Sequence, residues 1–313
     1  MAQKVRKKRS IWRPVIIFLI CVFTFIYLVP LLFVIHTSVK PWEYIREYPP
    51  KMVFKPSIAS YIRLFTSRTP TYEEYSEEQL AEMKWYERIV YNSTHEEVVR
   101  ASDLLGRYKN SIIIVIGSTV ITIVIGTLAA YGFSRGRVGG KDDWLFFILA
   151  TRMLPPVVVV IPVFLMFRSL ALTDTHIGLI LLYTAFNVSF AVWVLKGFID
   201  DIPIEYEEAA MVDGYTRFQA FMKIVIPQAA TGIAATAVFC FIFAWNEYAF
   251  AFLLTRRVAQ TVPAWLPYQM GVLGYDWGAA AAGTFLFLIP AMVFTILLRK
   301  HLVRGITFGA VRK

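Results

Sequence analysis

Residues Pro14 to Ile35 read PVIIFLICVFTFIYLVPLLFVI, a run without a single charge. At 1.5 Å per residue such a run is long enough for a helix to cross a hydrocarbon layer of about 30 Å. Comparable apolar runs follow near Asn110 to Phe133, Trp144 to Phe167, Leu179 to Leu195, Ala229 to Leu254 and Gly278 to Leu298. Lipid offers the backbone no hydrogen bonds, so each run is confined to helix. The predicted fold class is therefore an all-α integral membrane protein with about six transmembrane helices. Composition agrees: 57% of residues are hydrophobic and 17% charged, with a mean hydropathy of +0.56, too apolar for a soluble chain. In such a chain a net charge of +10 reports basic loops and lipid headgroups, not nucleic acid. Cys21 and Cys240 both lie within apolar runs, where they act as small hydrophobes and offer neither a disulfide framework nor a metal site.

Loop charge sets the orientation. Lys4, Arg6, Lys7, Lys8, Arg9 and Arg13 precede the first run, which is too long for a signal-peptide core and lacks a small-residue cleavage site. Ser134 to Lys141 is a short basic loop, Lys196 follows the fourth run, and Arg299, Lys300 and Arg304 follow the sixth. All four regions belong inside, which makes both termini cytoplasmic. Arg256 and Arg257 run against the trend. The long polar segment falls outside: its beginning, YPPKMVF, reads as extended, and Tyr75 to Val99, with many Glu and aromatic residues, as partly helical. It is either a solvated elaboration or a docking surface for an external partner. The expected organisation is a basic amino terminus at 1–14, a first helix at 15–37, an external loop with an acidic insertion at 38–109, a five-helix core at 110–299 and a tail at 300–313.

Polar residues inside the runs are the candidates for function. Pro155, Pro156 and Pro162 bend the third run, and irregular backbone at membrane depth is tolerated where it lines a cavity. Arg152 there is either a pathway residue or a snorkelling, paired one. Asn187 is a candidate solute contact or an interhelical hydrogen bond. Glu247 is the only acidic residue deep in any predicted span, which directs it to a pathway or a partner subunit. Trp245 and Tyr248 could offer apolar faces to a sugar ring, and Asn246 and Glu247 hydrogen bonds to hydroxyls. Consecutive helical residues point in different directions, so at most two of the four share one cavity.

Between the fourth and fifth runs lies Asp201 to Pro227, DIPIEYEEAAMVDGYTRFQAFMKIVIP. Pro203 suits a first helical turn, and Glu205, Glu207 and Glu208 complement the helix dipole. Gly214 can take the left-handed conformation that ends a helix, and Thr216 with Gln219 has the spacing of a capping box opening a second one. Pro227 is expected to separate that second helix from the apolar run. The segment reads as a rigid knob at the membrane surface.

Glu208, Ala209, Ala210, Gly214, Ile224 and Pro227 reproduce the E-A-A, G, I-x-L-P pattern of bacterial ABC importer permeases, with Ile226 departing where Leu is usual. The chain thus resembles the permease subunits of binding-protein-dependent importers with the type I fold, located in the bacterial inner membrane. LTDT at 172–175, WNE at 245–247 and the tail RGITFGAVRK are similar to the carbohydrate, maltose-type branch. The resemblance implies that Glu205, Glu208, Ala209, Ala210 and Gly214 form a coupling helix docking on a cytoplasmic ATPase. It also implies that the external loop after Arg256, with Pro263, Trp265 and Tyr268, contacts a solute-binding protein; the residues alone read equally as an interfacial loop anchored by Trp265 and Trp277. A second homologous permease and two ATPase chains complete the implied complex. This chain has no G-x-x-x-x-G-K-[ST] loop, so ATP and Mg belong to the ATPase, and no cofactor or catalytic residue is expected on the permease. The solute implied is a sugar, polyol or related hydroxylated compound. The competing reading is a secondary transporter driven by an ion gradient, suited to Glu247 and the proline-broken helix. No inverted repeat is apparent, and it gives the 201–227 knob no purpose. A membrane enzyme would need converging reactive groups, whereas His36, His95, His176 and His301 are scattered.

Overall fold

The computed structural model describes residues 12–271 and 274–308. The basic amino terminus up to residue 11, the end of the tail from Gly309, and the side chains of Arg299, Lys300 and Arg304 lie outside the described residues. The rest falls into two units, one reaching to Ser102 together with Gln269–Leu286, the other Asp103–Tyr268 with Phe287 onward.

The first unit begins with α1, Trp12–Ser38, apolar on every face and exposed along most of its length, as a span facing lipid or another subunit would be. After a helical turn at Trp42–Ile45 and an extended stretch come α2 (Ala59–Phe65), β1 (Thr66–Pro70), α3 (Glu77–Glu82), α4 (Trp85–Thr94) and β2 (Glu96–Ala101). The strands pair antiparallel from Thr66↔Ala101 to Pro70↔Glu96, with an irregularity between Ser67 and Arg68. A capping box between Ser76 and Gln79 starts α3. The polar core of this unit is ionic: Arg63 Nε donates to Asp276 Oδ2 at 2.8 Å, and Arg68 Nη1 reaches Glu96 Oε2 at 2.6 Å and Asp276 Oδ2 at 3.2 Å. Burial alone would raise the Asp276 carboxyl. The Arg63 hydrogen bond and charge, the Ala279 N–H and the Arg68 charge outweigh it and hold that carboxyl below its ordinary range.

The second unit is helical. α5 (Leu104–Arg135) runs along α8 (His176–Asp200), and α10 (Arg217–Trp245) packs on both. Small residues permit the approach: a Cβ on Gly126 would stand 2.8 Å from that of Ala191, and one on Gly232 would stand 2.3 Å from the Phe198 ring. Between α5 and α8 lie α6 (Lys141–Thr151) and α7 (Pro156–Ser169), and after α8 comes the short α9 (Glu205–Val212). The chain continues through α11 (Ala249–Leu254) and a turn at Val262–Trp265, and the unit is completed from Phe287 onward by the second part of the long α12 (Trp277–Phe308), whose beginning belongs to the first unit. Trp245 stacks on Phe287 with ring centroids 4.9 Å apart, and Phe241 on Phe294 at 3.9 Å. Among the described residues five helices are long and apolar enough to span a membrane, or six if α6 and α7 count as one broken span.

Three expectations are corrected. The third run is not one bent helix: α6 and α7 meet at 88°, because Pro155 takes an extended conformation (φ −60°, ψ 132°) before Pro156. Pro227 does not separate two helices. The chain is helical from Arg217 through Trp245, and a π-turn at Phe221–Val225 absorbs the proline, with Ile226 N–H donating five residues back to Phe221 O. The fifth run does not continue through Glu247: α10 stops at Trp245, and Asn246 to Tyr248 form a break before α11.

Candidate functional site

At one end of the helical unit the 201–227 segment is built as a braced, two-turn projection. Pro203 precedes α9, Gly214 adopts φ +92°, and Thr216 and Gln219 close a reciprocal capping box. Glu205, Glu208, Ala209 and Gly214 face outward. Ala210 does not: it is buried against the bundle. Val212 is 86% exposed and Phe218 65%, apolar side chains on a segment that also exposes Glu205 and Glu208.

What fixes this projection is a residue the pattern did not single out. Glu207 turns inward and is 3% exposed. Its Oε1 accepts from Arg135 Nε at 2.6 Å and its Oε2 from Tyr131 OH at 2.8 Å. Arg135 also donates through Nη2 to Ile199 O at 3.1 Å and Ile202 O at 2.6 Å. One guanidinium thus ties the end of α5 to α9 and to the chain leaving α8.

Deeper in the unit, the break between α6 and α7 opens a cavity of about 200 Å³, lined among others by Arg152, Tyr183, Phe186, Asn187, Phe243 and Glu247. Of the four pathway candidates it gathers Asn187 and Glu247. Asn246 is turned away, its Nδ2 donating to Ile242 O at 2.8 Å, and Tyr248 joins a row of rings with Phe252 and Tyr268 at 5.1 and 5.7 Å. Trp245 offers no face to a solute, being buried with Nε1 donating to Phe287 O at 3.2 Å. The Glu247 carboxylate accepts from Tyr183 OH at 2.7 Å, from Phe250 N at 2.8 Å and from Ala251 N at 3.1 Å. It caps the start of α11, so its lone pairs are largely satisfied by its own chain.

At the opposite end, Asp174 organises the loop that follows α11. Its carboxylate accepts from the N–H groups of Arg256, Arg257, Val258 and Ala259 at 3.1–3.3 Å. Burial pushes the Asp174 carboxyl up, and those four backbone donors more than reverse it, so it lies below its ordinary value. Asn110 Nδ2 holds Val258 O at 2.7 Å and Gln260 O at 3.1 Å, while its Oδ1 pairs with His176 Nε2 at 2.8 Å. The loop then presents Tyr268 exposed, with Pro263 and Trp265 half-buried. Among the described residues no three His, Cys, Asp or Glu side chains converge as a metal site requires.

Residues 122–307 match the family model described as binding-protein-dependent transport system inner membrane component. The chain belongs to this family. It is the permease subunit of an ABC importer and a multi-pass membrane protein. The match takes in the braced projection, the broken span and the cavity. The permease is 30% identical to a probable ABC transporter permease protein, y4oR, of Sinorhizobium fredii, over 93% of each chain. It is 38% identical to the trehalose transport system permease protein SugB of Mycobacterium tuberculosis, over 65% of this chain and 75% of that one. To the trehalose/maltose transport system permease protein MalG of Thermococcus litoralis it is 34% identical, over 72% and 83%. Its fold is that of ABC importer permeases: a crystal structure of a bacterial ABC transporter involved in the import of the acidic polysaccharide alginate contains a chain that superposes with a TM-score of 0.64, at 20% identity, over 96% of this permease and 99% of that chain.

Proposed function

We propose that this permease imports a hydroxylated solute, a sugar or polyol, in a complex with a second homologous permease, two cytoplasmic ATPase chains and an external solute-binding protein. The relatives named for trehalose and for trehalose/maltose transport support the solute class. The observation that carries the mechanism is the braced α9 projection. Its outward Glu205, Glu208 and Ala209, with the exposed Val212 and Phe218, form a mixed charged and apolar surface suited to a groove on a partner protein.

In this reading the projection, the basic 134–141 segment and both termini face the cytoplasm of a bacterium, and the 38–109 segment faces outside. Closure of the ATPase dimer on ATP pushes α9, and Arg135 passes the displacement to α5, to which it belongs, and to α8, whose Ile199 O it hydrogen-bonds. The spans then open the cavity outward for solute handed over by the binding protein, which Tyr268 and the loop held by Asp174 would meet. Hydrolysis resets the inward-facing state. ATP and Mg are bound by the ATPase chains.

Affinity purification of this chain from gently solubilised native membranes tests the reading. Recovery of a P-loop ATPase and a second permease, with ATPase activity in the eluate, is expected. A complex of this chain alone that moves solute on an ion gradient without ATP would refute it.

A further inference from the structure

Arg152 closes α6 at the break of the α6–α7 pair, inside an apolar run of the length of a membrane span. A guanidinium inside such a run is costly unless an anion or a water-filled cavity attends it. Among the described residues Arg152 has the cavity but no paired anion. No carboxylate of the described residues pairs with it. The one carboxylate lining its cavity, Glu247, is engaged by Tyr183 and two backbone N–H groups. The polar contacts Arg152 does make are long, 3.5 Å to both Phe186 O and Asn187 Oδ1. Its position is nevertheless fixed, because the guanidinium carbon lies 4.3 Å from the Phe243 ring centroid and 5.0 Å from that of Phe190. Two aromatic rings therefore hold a planar five-donor fork at the mouth of the α6–α7 break, with most of its hydrogen-bonding capacity unspent.

We infer that Arg152 is the recognition site for an anionic group on the transported solute, so that the permease carries a hydroxylated compound bearing a carboxylate or phosphate. This rests on the importer reading above and narrows its solute class. The fork matches either oxyanion bidentately. Asn187, on the same cavity wall, makes only long contacts, 3.5 Å from Arg152 Nη1 to its Oδ1 and 3.5 Å from its Nδ2 to Cys240 O, which a neighbouring solute hydroxyl would displace. A neutral sugar would leave the guanidinium without a counter-charge at membrane depth, which disfavours its passage relative to the acid.

The test uses the intact importer with its ATPase chains and binding protein in proteoliposomes, and labelled solutes in matched sets: glucose with glucuronate and glucose 6-phosphate, cellobiose with cellobiouronate. ATP-dependent uptake is expected to favour one acid or phosphate over its neutral counterpart by about tenfold or more, a margin of about 1.4 kcal/mol. Arg152→Gln should abolish that preference while the four-chain complex still purifies, and Arg152→Lys should retain part of it. The carboxylate and phosphate arms identify which oxyanion is read. Uptake of a neutral sugar as well as or better than its acid, unchanged by Arg152→Gln, overturns the inference and leaves the importer reading standing. Loss of the partner permease from the Arg152→Gln complex also overturns it, by giving the guanidinium a counter-ion on that subunit. Absence of both an associated ATPase and any uptake removes the importer reading and this inference with it.

Discussion

The guanidinium of Arg135, in the last turn of α5, meets the carboxylate of Glu207, in α9, at 2.6 Å, with both side chains nearly sealed from solvent. Removing one partner of such a pair strands the other charge, at a cost of about 3–5 kcal/mol. Glu207→Ala is therefore expected to lower the thermal stability of the purified complex and to uncouple ATP hydrolysis from uptake. Arg135→Lys should be nearly as damaging, because an ammonium cannot hold Glu207 and the carbonyls of Ile199 and Ile202 in one plane. Thermal melts with coupled uptake and ATPase assays measure both effects.

Glu208 points away from the bundle, and Gly214 sits at φ +92° with open space where a Cβ would stand. Glu208→Ala is expected to change stability by no more than about 0.5 kcal/mol, as at other exposed sites, while reducing uptake per ATP hydrolysed. Gly214→Arg adds left-handed strain and bulk at the proposed docking surface and should weaken ATPase association. Wild-type transport by both variants would contradict the assignment of this surface.

Asp174 holds four consecutive amides with one carboxylate. In Asp174→Ala the N–H groups of residues 256–259 should exchange hydrogen faster, with little change in α5 or α8. The pH dependence follows from its lowered carboxyl. The stabilisation is fully present above the ordinary Asp value of about 3.9 and is lost as pH falls through the lower folded value, because the unfolded chain takes up the proton first. The contribution of Asp174 to protection of this loop should thus stay constant between about pH 5 and 8 and fall only below about pH 4. Hydrogen exchange across that range checks it.

Gly232 faces the Phe198 ring at a distance that leaves no room for a Cβ. Gly232→Leu is expected to destabilise the helical unit by about 1–3 kcal/mol or more through overpacking. Gly197, with nothing within 4 Å of its Cβ position, supplies the contrast: Gly197→Ala should be tolerated. Thermal unfolding of the two purified variants separates them.

Much of the fold is legible in the sequence where the chemistry is local. Pro203 and the Thr216–Gln219 pair predict the caps of the projection because a cap is written within four residues. The spans are legible because each is a continuous apolar run. Long-range pairing is not: nothing near Glu207 marks it as inward, since Arg135 lies 72 positions away. The β1–β2 pairing is hidden for the same reason, as EEVVRA alone does not reveal its partner TSRTP. Asn246 to Tyr248 carries no Gly or Pro, so the end of α10 there is concealed inside an apolar run. Glu247 marks the break by capping α11, a role that only its bonds to Phe250 and Ala251 disclose. Pro155 and Pro156 announce a bend, and the 88° turn exceeds it.

The central claim is that α9 docks on an ATPase, and Val212, 86% exposed on that projection, is the place to ask. A photoactivatable benzoylphenylalanine replacing Val212 in native membranes, irradiated and analysed by mass spectrometry, should yield an adduct with a P-loop ATPase, whereas the same probe at Tyr268 should not. An adduct from Tyr268 to the ATPase, or none from Val212 in a complex that still hydrolyses ATP, would contradict the account.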